Sequence, residues 1–318
     1  MTASAFKNHN DKKKFNEALS SGDIDSIISI IDKDIGPNLR LNDDMTVLSG
    51  LLDFMNWDSE PCDLFLSLEK TFAALIEKDA DFTVGIGNNY SILGFASSTK
   101  ISEKVLDRMV ELGAEPFNQQ EDLIQGMLVP LKAAKSTERI KWGMDLLQSK
   151  YANHLSPDVL GACIADFFFH EQGGSAWHWR AEDTDEGFFH GGHFCNAIEV
   201  LIEYGANLNA KSSRGLSGTM GAAMTWMPEA LEFLISKGAD VNIIDNNGQT
   251  ALMYVCGYLP NASPMNEKWK QRPEHLQIAK ILVQAGADIN LINKRGDTAL
   301  DLARKNKNMA VLKYLQSL

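Results

Sequence analysis

The stretch Ala230-Leu231-Glu232-Phe233-Leu234-Ile235-Ser236-Lys237-Gly238-Ala239-Asp240-Val241-Asn242, followed by Asp245-Asn246-Asn247-Gly248-Gln249-Thr250-Ala251-Leu252, decides the fold. Its first part is an apolar helix that stops at a glycine, the residue that best tolerates the left-handed backbone of a helix end. Its second part is a polar, glycine-containing turn leading to Thr250, a residue type that caps helix starts. The same order returns elsewhere. Gly205-Ala206-Asn207-Leu208-Asn209 and Gly286-Ala287-Asp288-Ile289-Asn290 repeat the phrase, and Gly113-Ala114-Glu115 is a weaker copy. Asn293-Lys294-Arg295-Gly296-Asp297-Thr298-Ala299-Leu300 repeats the turn.

This pattern resembles the ankyrin repeat, a turn plus two helices recurring at about 33 residues. The family's Thr-Pro-Leu-His helix start is altered here. Ala251 and Ala299 stand where Pro is usual, and Met253 and Asp301 where His is usual. The resemblance implies an all-α solenoid in which each repeat packs only on its neighbours.

Two landmarks set the register: the Thr or Ser at the helix start, and the Gly of the phrase about 21 residues later in the family pattern. Ser217 to Gly238 spans 21 residues and Ser91 to Gly113 spans 22. Thr46 to Asp79, with Asp79 in the Gly position, spans 33; Thr250 to Gly286 spans 36; Ser156 to Gly205 spans 49. The excess falls between the two helices of a repeat, giving three long inter-helix insertions. We expect about eight helix pairs in one solenoid over residues 1–318. Its parts are an N-terminal cap at 11–41, repeats at 42–87 and 88–120, a degenerate pair at 121–153, and 154–209 with the longest insertion. Repeats at 210–244 and 245–292, the latter with an insertion, lead to a C-terminal cap at 293–318.

Composition narrows the class. No apolar run approaches the roughly 20 residues of a membrane span, and the first ten residues contain no apolar signal segment. Cys62, Cys163, Cys195 and Cys256 are far apart, which suits reduced thiols in a cytoplasmic protein better than a disulfide frame. The net charge is −12. Residues 1–15 carry +3, and six cations against two acids leave +4 from Asn293 onward, so the remainder holds −19. Such a body repels nucleic acid and favours a protein partner with a basic surface.

The insertion from Phe167 to Phe194 concentrates chemistry-bearing residues. His170, His178, His190 and His193 lie in it, with Glu182, Asp183, Asp185 and Glu186 opposed only by Arg180. Imidazoles and carboxylates bind zinc, which makes a metal-binding sensor or enzyme built on 167–194 the alternative reading. The His190-Gly191-Gly192-His193 spacing matches no firm ligand pattern, so no metal and no cofactor are expected. No phosphate loop, nucleophile elbow or dinucleotide fingerprint appears, so no catalytic residue is assigned and the chain reads as a non-enzyme.

The tryptophans give a second pattern. Trp57, Trp177, Trp179, Trp226 and Trp269 all fall in links between the first and second helix of a repeat, and Trp142 does not. Trp226 takes the place of the Gly usual in that link. Stacked repeats would line these rings along one edge, opposite the turns, at a spacing of about 10 Å. The expected partner-binding residues are therefore Trp177, Trp179, Trp226 and Trp269, with Phe188 and Phe189 beside them and Asp183 and Asp185 as an acidic rim. The resemblance implies a protein–protein interaction module, acting as an adaptor or as an inhibitor or immunity-type protein.

Overall fold

The computed structural model describes residues 13–15, 17–18, 21, 23–31, 37–38, 46–55, 63–82, 91–97, 99, 101–115, 137–166, 168, 191–257 and 273–318. These residues are helical with turns between them, and no strand occurs among them. The chain divides into two compact units, Met1–Leu147 and Gln148–Leu318.

Unit 1 holds α1 (Ile24–Ile31), α2 (Val47–Met55), α3 (Asp63–Ile76), α4 (Ile92–Ser97), α5 (Glu103–Glu111) and the start of α6 (Thr137–Tyr151). The pairs α2/α3 and α4/α5 pack as hairpins, and α2 lies on α4. Phe15, Ile27, Leu51, Phe72, Leu93 and Met109 are buried in one core, and Trp142 of α6 packs against it. The indole N–H of Trp142 donates to Asp107 at 2.8 Å, and the Arg139 guanidinium donates to the carbonyl of Ile101. The tryptophan outside the inter-helix pattern therefore serves packing between α6 and α5.

Unit 2 is more regular. After a short 3-10 turn (Ala152–His154), it contains α7 (Pro157–Asp166), α8 (Gly191–Glu203), α9 (Gly218–Met224), α10 (Pro228–Ser236), α11 (Ala251–Val255), α12 (Pro273–Gln284), α13 (Ala299–Lys305) and α14 (Met309–Gln316). Each odd-numbered helix packs on the even-numbered one that follows it. Each also packs on the odd-numbered helix of the next repeat, and the even-numbered helices do the same. Two helical layers result, α7-α9-α11-α13 and α8-α10-α12-α14.

The sequence landmarks have defined physical roles. Every helix-start Thr or Ser singled out above accepts a hydrogen bond from the backbone N–H three residues on: Thr46 from Ser49, Ser91 from Gly94, Ser156 from Val159, Ser217 from Met220, Thr250 from Met253 and Thr298 from Asp301. These bonds satisfy donors that a helix start leaves open. At Thr298 the Asp301 carboxylate also accepts from the Thr298 N–H, completing a capping box.

The Gly-Ala phrase is a helix stop. The Gly238 N–H donates to the Ile235 carbonyl and the Ala239 N–H to that of Leu234, with Gly238 at φ 95°. This is the Schellman arrangement, and Gly113, Gly205 and Gly286 repeat it. Asp79 adopts φ 61°, as expected for a residue in the Gly position.

Small residues let the first layer close. An atom added at the Cα of Gly161 would lie 1.8 Å from the Asn207 carbonyl oxygen, and one at Gly221 would lie 2.5 Å from the Phe168 ring. Phe168, the one described residue between α7 and α8, is 4% exposed. The long insertion thus begins by laying an aromatic ring on the first helix of the next repeat.

Candidate interaction surface

The repeats present two different edges, one built from the turns between repeats and one from the links inside them. In the turns, a single side chain organises the backbone. The Asp245 carboxylate accepts the N–H groups of Asn247 and Gln249 at 2.8 and 2.7 Å, and its second oxygen accepts the Tyr254 hydroxyl at 2.7 Å. Asn293 repeats the first half, accepting from Arg295 and Asp297 at 2.8 and 3.0 Å. Fingers so stiffened bond to their neighbours. The Lys294 N–H donates to the Asn247 carbonyl at 2.9 Å, and the Lys211 ammonium to the Ile244 carbonyl at 3.3 Å.

Behind the fingers runs a ladder of asparagines. Asn242 accepts the Asp288 N–H at 2.7 Å and donates to the Gly286 carbonyl at 3.0 Å. Asn209 accepts the Asp240 N–H at 2.9 Å. In unit 1, Asn38 accepts from Asp81 at 2.6 Å and donates to the Asp79 carbonyl at 2.8 Å. Asn38 therefore does in the N-terminal cap what Asn242 does in a full repeat, a role the sequence reading missed. The signal was present as a spacing: Asn38 precedes Thr46 by eight residues, as Asn242 precedes Thr250 and Asn290 precedes Thr298.

What the fingers show to water is distinctive. The residue before each finger is Lys211, Ile244 or Ile292, and all three are exposed; the isoleucines are 47% and 64% accessible. Arg214, Lys294 and Arg295 at the tips are exposed too. The acids within the fingers, Asp245 and Asp297, are buried, and the exposed Asp240 and Asp288 accept the N–H groups of Asn242 and Asn290 in their own loops.

The link edge differs from expectation at the one proposed residue it describes. Trp226 is 5% exposed, so its ring is packed inside the stack rather than presented on a contact surface. Its position in the Gly slot holds: φ is 55°, and the Trp226 and Met227 N–H groups close a helix stop on Ala223 and Ala222. That left-handed turn seats the ring against His275 of the next repeat, with ring centres 5.6 Å apart. His275 Nδ1 in turn lies 3.4 Å from the Asn308 side-chain amide, which donates to the Val255 carbonyl. Trp226 thus closes a buried junction spanning three repeats. Trp177, Trp179, Asp183, Asp185, Phe188, Phe189 and Trp269 lie outside the described residues, as do His170, His178, His190 and the carboxylates grouped with them.

Of the described cysteines, Cys163 and Cys256 are buried and Cys195 is half-buried. Burial holds the Cys163 and Cys256 thiols well above the ordinary range, and burial raises Cys195 as well. Among the described residues no group of three or more His, Cys, Asp or Glu could hold a metal ion, and no helix is long and apolar enough to cross a membrane.

Residues 272–316, which run from α12 through α14, match the family described as ankyrin repeats (many copies). No curated protein matches the chain. The matched segment contains the Schellman stop at Gly286, the finger at Asn293 and the hydroxyl cap at Thr298, features that recur through unit 2. Ankyrin repeats are generally non-enzymatic and characteristic of protein–protein interaction modules. The chain therefore contains ankyrin repeats at residues 272–316, within an all-helical repeat stack.

Proposed function

We propose that the chain is a non-enzymatic scaffold in the cytoplasm, a single ankyrin solenoid over 1–318, that binds a protein partner as an adaptor or inhibitor. The observation that carries this reading is the ankyrin match at 272–316 on a two-layer stack, since that family typically works by gripping other proteins. The net charge of −12 supports a partner with a basic surface and disfavours nucleic acid. The contact would run along the link edge, through Trp177, Trp179, Phe188, Phe189 and Trp269, with Asp183 and Asp185 facing the partner's cations. Trp226 stands behind that edge as packing.

Affinity capture from the protein's own source cells, with quantitative mass spectrometry, tests it. A protein captured in near-stoichiometric amount by the wild-type chain, and lost with Trp177→Ala/Trp179→Ala or Asp183→Lys/Asp185→Lys, is the expected result. Capture of no protein above background, or turnover of a small substrate by the purified chain, would overturn the reading.

A further inference from the structure

Among the described residues few large apolar side chains are exposed, and two of them occupy one register position. Ile244 and Ile292 each precede a finger, immediately before Asp245 and Asn293. Burying either side chain inside the stack would have been ordinary for isoleucine; both instead face water on adjoining fingers. Lys211 holds the same register position one repeat earlier.

The exposed charges on the fingers themselves are of one sign. Lys211, Arg214, Lys294 and Arg295 are exposed on these fingers, opposite in sign to the chain's net charge of −12. Asp245 and Asp297 on the fingers are buried, and the two exposed acids four residues before the isoleucines each accept an N–H of their own loop. Hydrogen bonds from Lys294 to Asn247 and from Lys211 to Ile244 hold successive fingers in fixed register. An occupant therefore meets a preformed row rather than mobile loops, which lowers the ordering cost of binding.

Fingers repeat at about 10 Å, the packing distance of helices, and an extended chain advances about 3.3 Å per residue. One finger thus corresponds to about three residues of an extended ligand. From this we infer that the finger row of residues 211–214, 244–247 and 292–295 docks an extended acidic segment of a protein, with branched apolar residues about three apart. The apolar residues lie on Ile244 and Ile292, and the intervening carboxylates meet the Lys and Arg side chains. The inference rests on the protein-binding reading and adds to it a second edge of opposite charge, as an adaptor joining two partners would have.

Peptides binding to the full chain test it, read by fluorescence anisotropy at low and high salt. The probes are (Glu-Glu-Ile)4, (Glu-Glu-Ser)4, (Lys-Lys-Ile)4 and a twelve-nucleotide oligothymidylate. We expect saturable binding of (Glu-Glu-Ile)4 alone, weakened by salt and reduced about tenfold by either Ile292→Ser or Lys294→Glu. Both variants change exposed side chains, so an unchanged melting temperature accompanies the loss. Absence of (Glu-Glu-Ile)4 binding, binding indifferent to both variants, or preference for (Lys-Lys-Ile)4 would overturn the inference. Equal binding of (Glu-Glu-Ser)4 or of oligothymidylate would do so too, by showing a general polyanion surface. A chain that captures a partner from cells yet ignores the acidic peptide loses only this inference; one that captures nothing loses the protein-binding reading.

Discussion

Replacing Trp226 separates the two roles its position combines. The ring is 5% exposed, so nearly all of the roughly 200 Å² a Trp side chain can bury is hidden. At about 25 cal/mol per Å² that is about 5 kcal/mol as an upper bound. Trp226→Ala should therefore cost about 3–5 kcal/mol. It also opens the space that His275 now shares with the ring at 5.6 Å. The backbone supplies an internal control. With φ at 55°, alanine at 226 keeps the strain of a left-handed residue, whereas glycine does not. Trp226→Gly should accordingly be more stable than Trp226→Ala by roughly 0.5–1 kcal/mol, after the extra chain entropy of glycine is subtracted. Equilibrium urea unfolding followed by far-UV circular dichroism reads both. A loss below about 1 kcal/mol for Trp226→Ala would refute the buried junction, and an alanine variant more stable than the glycine variant would refute the helix-stop geometry.

Three further outcomes follow from the same interactions. Asn242→Ala removes the bonds to Gly286 and Asp288 and should lower stability by about 1–2 kcal/mol in urea unfolding, with faster amide exchange at Asp288. Hydrogen bonding from Thr298, then from its backbone, holds the Asp301 carboxyl below the usual carboxylate range. Its stabilisation is therefore present above the unfolded value of about 3.9 and fades as pH falls below it. Asp301→Asn should flatten the acid limb of melting temperature against pH below about pH 4. In the native chain, Cys163 and Cys256 should resist iodoacetamide at pH 8, because burial keeps both thiols protonated; mass spectrometry showing prompt labelling at Cys163 would contradict their place in the core.

Much of the fold was legible because its punctuation is local. A hydroxyl at Ser217 or Thr250 caps a helix, a glycine at 238 or 286 ends one, and both acts need only a few neighbouring residues. Asp79 and Trp226 were assigned to glycine slots by counting, and both have positive φ. Exposure was harder to read. Whether Trp226 faces water depends on His275, 49 positions away and beyond an insertion, which no register count reveals. The finger row was missed for the complementary reason: Ile244 and Ile292 look like core residues until the stack leaves them outside. Arg139, in a stretch without the repeat phrase, gave no signal of its bond to Ile101.

The most direct test of a protein-gripping ankyrin stack is hydrogen–deuterium exchange of the full chain, free and bound to its captured partner. Slower exchange confined to one or both edges, the fingers at 211–216, 244–249 and 292–297 or the inter-helix insertions at 167–194 and 258–272, is the predicted result. Protection confined instead to helices α10, α12 and α14, with both edges unchanged, would contradict it.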